Sequence, residues 1–170
     1  MLRSQAALVD PAHITTTEIQ TLIRTLVKVM RRMECVGLSA PQVGVPLQVL
    51  VMEFTESMYN QNDPSVREVR ELAPFSLKVF INPTMRVLDS SIVSFPEGCE
   101  SISGFSAVVP RYQAVAIAGI NENGENTSWQ ARGWPARIIQ HEMDHLQGHL
   151  YIDKMDSRSF VNTRWMELNE

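Results

Sequence analysis

The stretch from Gly133 to Gly148 constrains this chain more than any other. Pro135 suits a first helical position, where a missing N–H costs nothing. Gly148 suits the residue just past the end, where a left-handed backbone is cheap only for glycine. The stretch therefore predicts a helix over about 135–147. His141 and His145 stand one turn apart on it, so both rings share a face, and Trp134 and Ile138 continue that stripe. Trp134, Ala136, Ile138, Ile139, Met143 and Leu146 make the helix apolar around much of its circumference, so the rest of the chain must wrap it. Glu142 lies one position round from His141, within reach of whatever the histidines hold. His-Glu-x-x-His on a helix is a metal-hydrolase signature. Two imidazoles do not complete a tetrahedral site, so a third ligand must come from elsewhere.

With 170 residues, 44% hydrophobic and 20% charged, the chain is expected to form one domain over 1–170. A net charge of -4 gives no electrostatic case for direct nucleic-acid contact. No apolar run approaches the length of a membrane span, and no N-terminal stretch reads as a secretory signal. Cys35 and Cys99 allow one disulfide at most, which favours a reducing compartment.

Residues 1–14 carry no period and are expected to wrap the surface. Thr15 and Glu18 offer a capping box. Ile19, Leu22, Ile23, Leu26, Met30 and Met33 then recur at helical spacing, predicting an N-terminal amphipathic helix over about 16–34, with Arg31 and Arg32 in its last turn. Residues 35–46 are rich in Gly and Pro and predict a loop. Leu47 to Phe54 reads as a strand. Residues 55–76 are polar, with room for a short helix from Pro64 to about Leu72, and form the stretch expected to move most. A strand from Leu77 to Ile81 is expected to end at Asn82-Pro83. Arg86–Asp89 and Ile92–Phe95 predict a hairpin turning at Asp89-Ser90-Ser91. Ala107–Val109 and Ala114–Ile120 read as strands broken by Pro110, and Asn126–Arg132 as the strand leading into the histidine helix. Tyr151–Met155 reads as extended, with a last short helix from Asp156. Runs of strands with helices near each end predict an α+β fold, mostly antiparallel sheet wrapped around a central metal-binding helix.

Cys99 is the candidate third ligand. It lies in a tight loop, Pro96 to Ser101, where glycine lets backbone approach an ion. A thiolate and two imidazoles suit Zn²⁺ or Fe²⁺, and three protein ligands leave the fourth position that marks a catalytic site. Cys35, at the end of a core helix, reads as a small buried hydrophobe.

Three separated motifs now resemble the peptide deformylase family. Its Gly-x-Gly-x-Ala-Ala-x-Gln motif reads here Cys35-Val36-Gly37-Leu38-Ser39-Ala40-Pro41-Gln42. Its Glu-Gly-Cys-Leu-Ser motif reads Glu97-Gly98-Cys99-Glu100-Ser101. Its His-Glu-x-Asp-His-Leu-x-Gly motif is matched in full from His141 to Gly148. Cys35, Ser39 and Glu100 are departures, and the forms with Ser39-Ala40-Pro41-Gln42 and Glu100 are similar to the mitochondrial deformylases of animals. Glu100 puts a carboxylate beside the cleft where bacterial relatives are apolar.

The resemblance implies removal of formyl from N-formylmethionyl peptides, releasing formate. It implies one divalent metal on Cys99, His141 and His145, with Fe²⁺ native and Zn²⁺, Co²⁺ or Ni²⁺ as alternatives. Glu142 would take a proton from water and pass it to the leaving amine. Gln42 and the backbone N–H of Glu100 would hold the oxyanion. Substrate backbone would pair with Gly37 and Gly98, and the methionine side chain would lie against Val36, Trp134, Ile138 and the His141 ring. Glu97 is expected to pair with a basic group, Arg111, and Asp144 to order the histidines or their helix as an acceptor. His13 and His149 read as ordinary histidines. The implied partner is the nascent formyl-Met peptide, with the ribosome as its source and a homodimer left open. The setting is mitochondrial by resemblance alone. Two readings compete. A zinc peptidase would need a downstream ligand, for which the tail offers Asp153, Asp156 and Glu167 without a motif. An inactive metal-stabilised binding protein would have no need of Glu142 and Gln42.

Overall fold

The computed structural model describes residues 1–165. Helix α1 (Thr17–Arg32) opens the regular structure. The expected capping box does not form. Thr16 is the cap residue, and its hydroxyl donates 2.8 Å back to the His13 carbonyl, closing the preceding turn instead of capping the helix.

The Gly/Pro-rich stretch expected to be a loop contains a strand, β1 (Gly37–Ser39), and a 3₁₀ turn at Ala40–Val43. β1 pairs antiparallel with β2 (Val49–Phe54). Gly44, at φ 88, ends the turn in the left-handed region. The polar segment after β2 holds α2 (Glu56–Asn60) and α3 (Pro64–Val69). Arg67 fastens them together by donating to the Asn62 and Asn60 carbonyls at 2.7 and 2.8 Å.

β3 (Phe75–Gly98) corrects the strand assignments most. It runs through Asn82-Pro83 and through the expected hairpin turn, paired antiparallel with β2 from Phe75 to Ile81 and with β4 (Phe105–Ile120) from Ile81 to Gly98. The turn signals become bulges. Asn82 adopts φ 51 at a register shift between Ile81 and Thr84, and its side chain holds both backbone groups of Val9. The Asp89 carboxylate accepts from the Ser91 N–H at 3.0 Å, but the register shifts there without reversing the chain. Pro110 does not break β4 either. At that point β4 pairs only with β3, because β5 (Asn126–Arg132) takes Ala114–Ile120 and β6 (Val161–Asn162) takes Phe105–Ser106. A proline is tolerated where one side of a strand has no ladder.

The sheet runs β1-β2-β3-β4-β5, with β6 on β4. All these pairs are antiparallel; Ala7 and Leu47 add an isolated parallel bridge. β2 is buried on both faces. Leu50 and Met52 pack with Phe80, Val115 and Ile117 against α4 (Gly133–Leu146), while Val49 and Val51 meet Ile19, Ile23, Leu26 and Met30 of α1. The period-2 alternation of the strand thus feeds two cores. α4 begins at Gly133, so Pro135 is its third residue, still in the turn that needs no N–H bond. It ends at Leu146, and Gly148, just past the cap residue Gln147, takes φ 78. After it, Tyr151–Asp153 is a 3₁₀ turn rather than an extended segment. Where a last short helix is expected from Asp156, the described residues hold a 3₁₀ turn at Ser157–Ser159, followed by β6. Residues 166–170, with Glu167, lie outside the described residues. No helix among the described residues is long and apolar enough to cross a membrane.

Candidate active site

Three pieces of chain converge. α4 brings His141, Glu142 and His145. The end of β3 brings Glu97, Gly98 and then Cys99. The turn after β1 brings Gln42. The Cys99 sulfur and one nitrogen from each of His141 and His145 all lie within 4.8 Å of one another. Cys99 Sγ stands 3.3 Å from His145 Nε2. Ligands on a tetrahedral zinc-sized ion stand about 3.5 Å apart, so this triplet fits a divalent metal.

The surroundings favour positive charge at this point. Burial by itself would lower the His141 pKa, but hydrogen bonds to Cys99 and Glu97 outweigh it and raise it to about 10. A divalent cation answers the same demand. Burial pushes His145 down to about 3, with the charge of His141 adding to the effect, which leaves a neutral imidazole ready to donate a lone pair. His141 Nδ1 lies 3.0 Å from Glu97 Oε2, which orients the ring and frees Nε2.

Glu97 anchors a buried ionic network. Arg111 grips it with two bonds of 2.9 and 2.8 Å, and Arg137 adds one of 2.7 Å. Burial would raise the Glu97 pKa, but the bonds from Arg111 and His141 hold it well below the usual carboxylate range. Arg111 also reaches Asp144 at 2.6 Å, and Lys154 meets the other Asp144 oxygen at 2.5 Å. The expected Glu97–Arg111 pair is therefore present. Asp144 touches Arg111 and Lys154, so it steadies the site through Arg111.

Glu142 is 3% exposed, and its Oε2 is buried without a protein partner. An unpartnered buried carboxylate oxygen requires a ligand or a water. Burial raises its pKa to about 7. The Gln42 side chain is oriented: its Oε1 accepts from the Ser39 N–H at 2.8 Å and the Ser39 hydroxyl at 2.9 Å. Its amide nitrogen therefore faces Cys99, 3.8 Å away, and Ser101, 3.3 Å away.

Beside these groups lies a cavity of about 290 Å³, lined by Val36, Gly37, Gln42, Gly98, Cys99, Glu100, Trp134, Ile138, His141 and Glu142. Every candidate site residue is thus in one place, with buried His145 behind the cavity. Cys35, Arg70 and Arg137 also line it. Cys35 opens the first motif but read as a small buried hydrophobe, whereas Arg70 and Arg137 carried no sequence signal for the cleft, because lone residues in a polar helix or on a core stripe show no spacing that points there. His13 and His149 are exposed and are not part of the Cys99–His141–His145 triplet.

A family model for polypeptide deformylase matches residues 1–160. The chain belongs to the peptide deformylase family. It is 58% identical over 170 residues to the mitochondrial peptide deformylase of Homo sapiens, covering 100% of this chain and 70% of that protein. It is 41% identical over 160 residues to peptide deformylase 1A, chloroplastic/mitochondrial, of Arabidopsis thaliana, where it spans 60% of the longer relative. The Met-Ala-Ser-bound deformylase of Acinetobacter baumannii superposes with a TM-score of 0.79 at 26% identity, covering 91% of each chain. The Synechococcus elongatus deformylase in complex with actinonin gives 0.76 at 32% identity, covering 92% of this chain and 76% of that one. This likeness bears out the α+β, antiparallel deformylase fold.

Proposed function

We propose that this protein removes formyl from N-formylmethionyl ends of newly made peptides and releases formate. The observation that carries the reading is the meeting of Cys99, His141 and His145 within 4.8 Å beside buried Glu142, in a chain of the deformylase family. Cys99, His141 and His145 would hold one divalent ion, with Fe²⁺ the native choice and Zn²⁺, Co²⁺ or Ni²⁺ as substitutes. When bound, the ion would act as a Lewis acid on the formyl carbonyl and acidify the attacking water.

The chain's own residues supply the rest. Glu142, with its pKa near neutrality, takes the water's proton and returns it to the departing amine nitrogen. Gln42 offers N–H donors toward the forming oxyanion, its orientation set by Ser39, and the Glu100 backbone N–H is the second donor. Gly37 and Gly98 pair with the substrate backbone as an added strand. Val36, Trp134, Ile138 and the His141 ring enclose the methionine side chain. The whole chain, 1–170, works as one domain. The human relative's mitochondrial name supports work in that organelle, on peptides leaving its ribosomes.

The test is anaerobic formate release from a formyl-Met peptide, with metal analysis of the same sample. Formate in proportion to bound metal supports the reading. Internal peptide cleavage without formate would overturn it and favour a peptidase.

A further inference from the structure

Arg70 is a cation in the cleft wall with its donors unspent. It ends α3, and its position is fixed: its N–H donates to the Val66 carbonyl at 3.0 Å. The next residue, Glu71, accepts from Gln113 at 2.8 Å and pairs with Arg132 at 3.2 Å. The half-buried guanidinium lies 5.3 Å from the Phe95 ring centre and 5.8 Å from that of Trp134. Among the described residues no carboxylate or carbonyl accepts from it.

Its neighbour makes the contrast. Arg137 also lines the cavity and lies 5.4 Å from Phe95, but gives its donors to Glu97, Val109 and Val93. Both guanidinium groups flank the Phe95 ring and burial disfavours the charge of each, but among the described residues only Arg137 has acceptors to offset it. Arg70 and Trp134 line the same cavity as Val36 and Ile138, which the proposed function assigns to the substrate's first side chain.

We propose that Arg70 is a specificity-determining residue that lets this pocket accept a side chain apolar along its length and ending in an oxygen acceptor. Methionine sulfoxide is the member of that class closest to methionine. An apolar pocket rejects a sulfoxide oxygen because burying it leaves the acceptor unpaired. A guanidinium beside Trp134 supplies the missing donor.

The inference rests on the deformylase reading, and the experiment separates the two. Initial rates of formate release are measured for formyl-methionine-sulfoxide, formyl-methionine and formyl-norleucine peptides, on metal-loaded wild type, Arg70→Met and Arg70→Lys. The ratio of kcat/KM for sulfoxide over norleucine should fall about tenfold or more in Arg70→Met, the cost of one unpaired buried acceptor. The norleucine rate should stay within about threefold of wild type, since its side chain ends in nothing that accepts from Arg70. Arg70→Lys should restore part of the ratio. An unchanged ratio in both variants overturns the proposal. So does a variant effect seen only between formyl-Met-Glu and formyl-Met-Lys peptides, which would assign Arg70 to the next residue of the substrate. If wild type released no formate from any peptide, the deformylase reading itself would fail.

Discussion

Gly37→Ala tests how tightly the site is built. A Cβ at Gly37 would stand 2.5 Å from Glu142 Oε1 and 2.9 Å from its Cγ and Cδ. Carbon contacts are comfortable at about 3.5 Å, so the carboxylate must retreat by roughly 0.5–1 Å. Glu142 is packed at 3% exposure and has little room to do so. A misplacement of about 1 Å in a catalytic group costs on the order of 10²-fold in rate. Overpacking a core adds about 1–3 kcal/mol of destabilisation, or roughly 2–12 °C in Tm for a chain of this size. The φ of Gly37 lies outside the left-handed region, so the methyl and not the backbone causes the loss. The expected result is a folded, metal-loaded variant with kcat down about 10²-fold, a larger change than any in KM. Formate release, metal content and thermal unfolding on one preparation check it. A kcat within threefold of wild type would refute the claim that Gly37 makes room for Glu142 as base.

Arg111→Ala leaves Glu97 and Asp144 short of their buried partner. A loss of about 3–5 kcal/mol, roughly 6–20 °C in Tm, is expected, and a drop under 2 °C in calorimetry would contradict it. Acid should act through Glu97. Its folded pKa is depressed below the unfolded value of about 4.3, so its stabilisation is complete above that value and is lost as pH falls through the lower folded pKa. Urea midpoints of metal-free protein should therefore fall more steeply below about pH 4 in wild type than in Glu97→Gln, and parallel curves would count against the network.

The histidine helix was legible because a 3.6-residue period, a proline near one end and a glycine at the other agree on one element. Cys99 was legible as a candidate ligand from its thiol and its glycine-containing loop, but Gln42 only through motif resemblance, since nothing local says that the turn after β1 reaches α4. The strand plan was harder to read. Asp89-Ser90-Ser91 and Asn82-Pro83 carry ordinary turn chemistry, yet pairing with β4 on both sides turned each into a bulge. The three-residue β1 hides in a Gly/Pro-rich stretch because strand pairing to β2 outweighs its composition. Arg70 stayed invisible because its place in the cleft depends on how α3 docks against Phe95 and Trp134. Glu97–Arg111 was readable as a pair, whereas the bonds from Arg137 to Glu97 and from Lys154 to Asp144 come only from the packed fold.

Formate release by Glu142→Gln, with metal stoichiometry measured on the same anaerobic sample, bears most directly on the mechanism. Gln keeps the size of the side chain and touches none of the three metal-ligating atoms, but it cannot carry a proton between water and the amine. The expected result is metal at the wild-type level with kcat reduced about 10²–10⁴-fold, the usual contribution of a positioned acid–base group. Full metal with a rate near wild type would contradict Glu142 as the proton carrier, and with it the central claim.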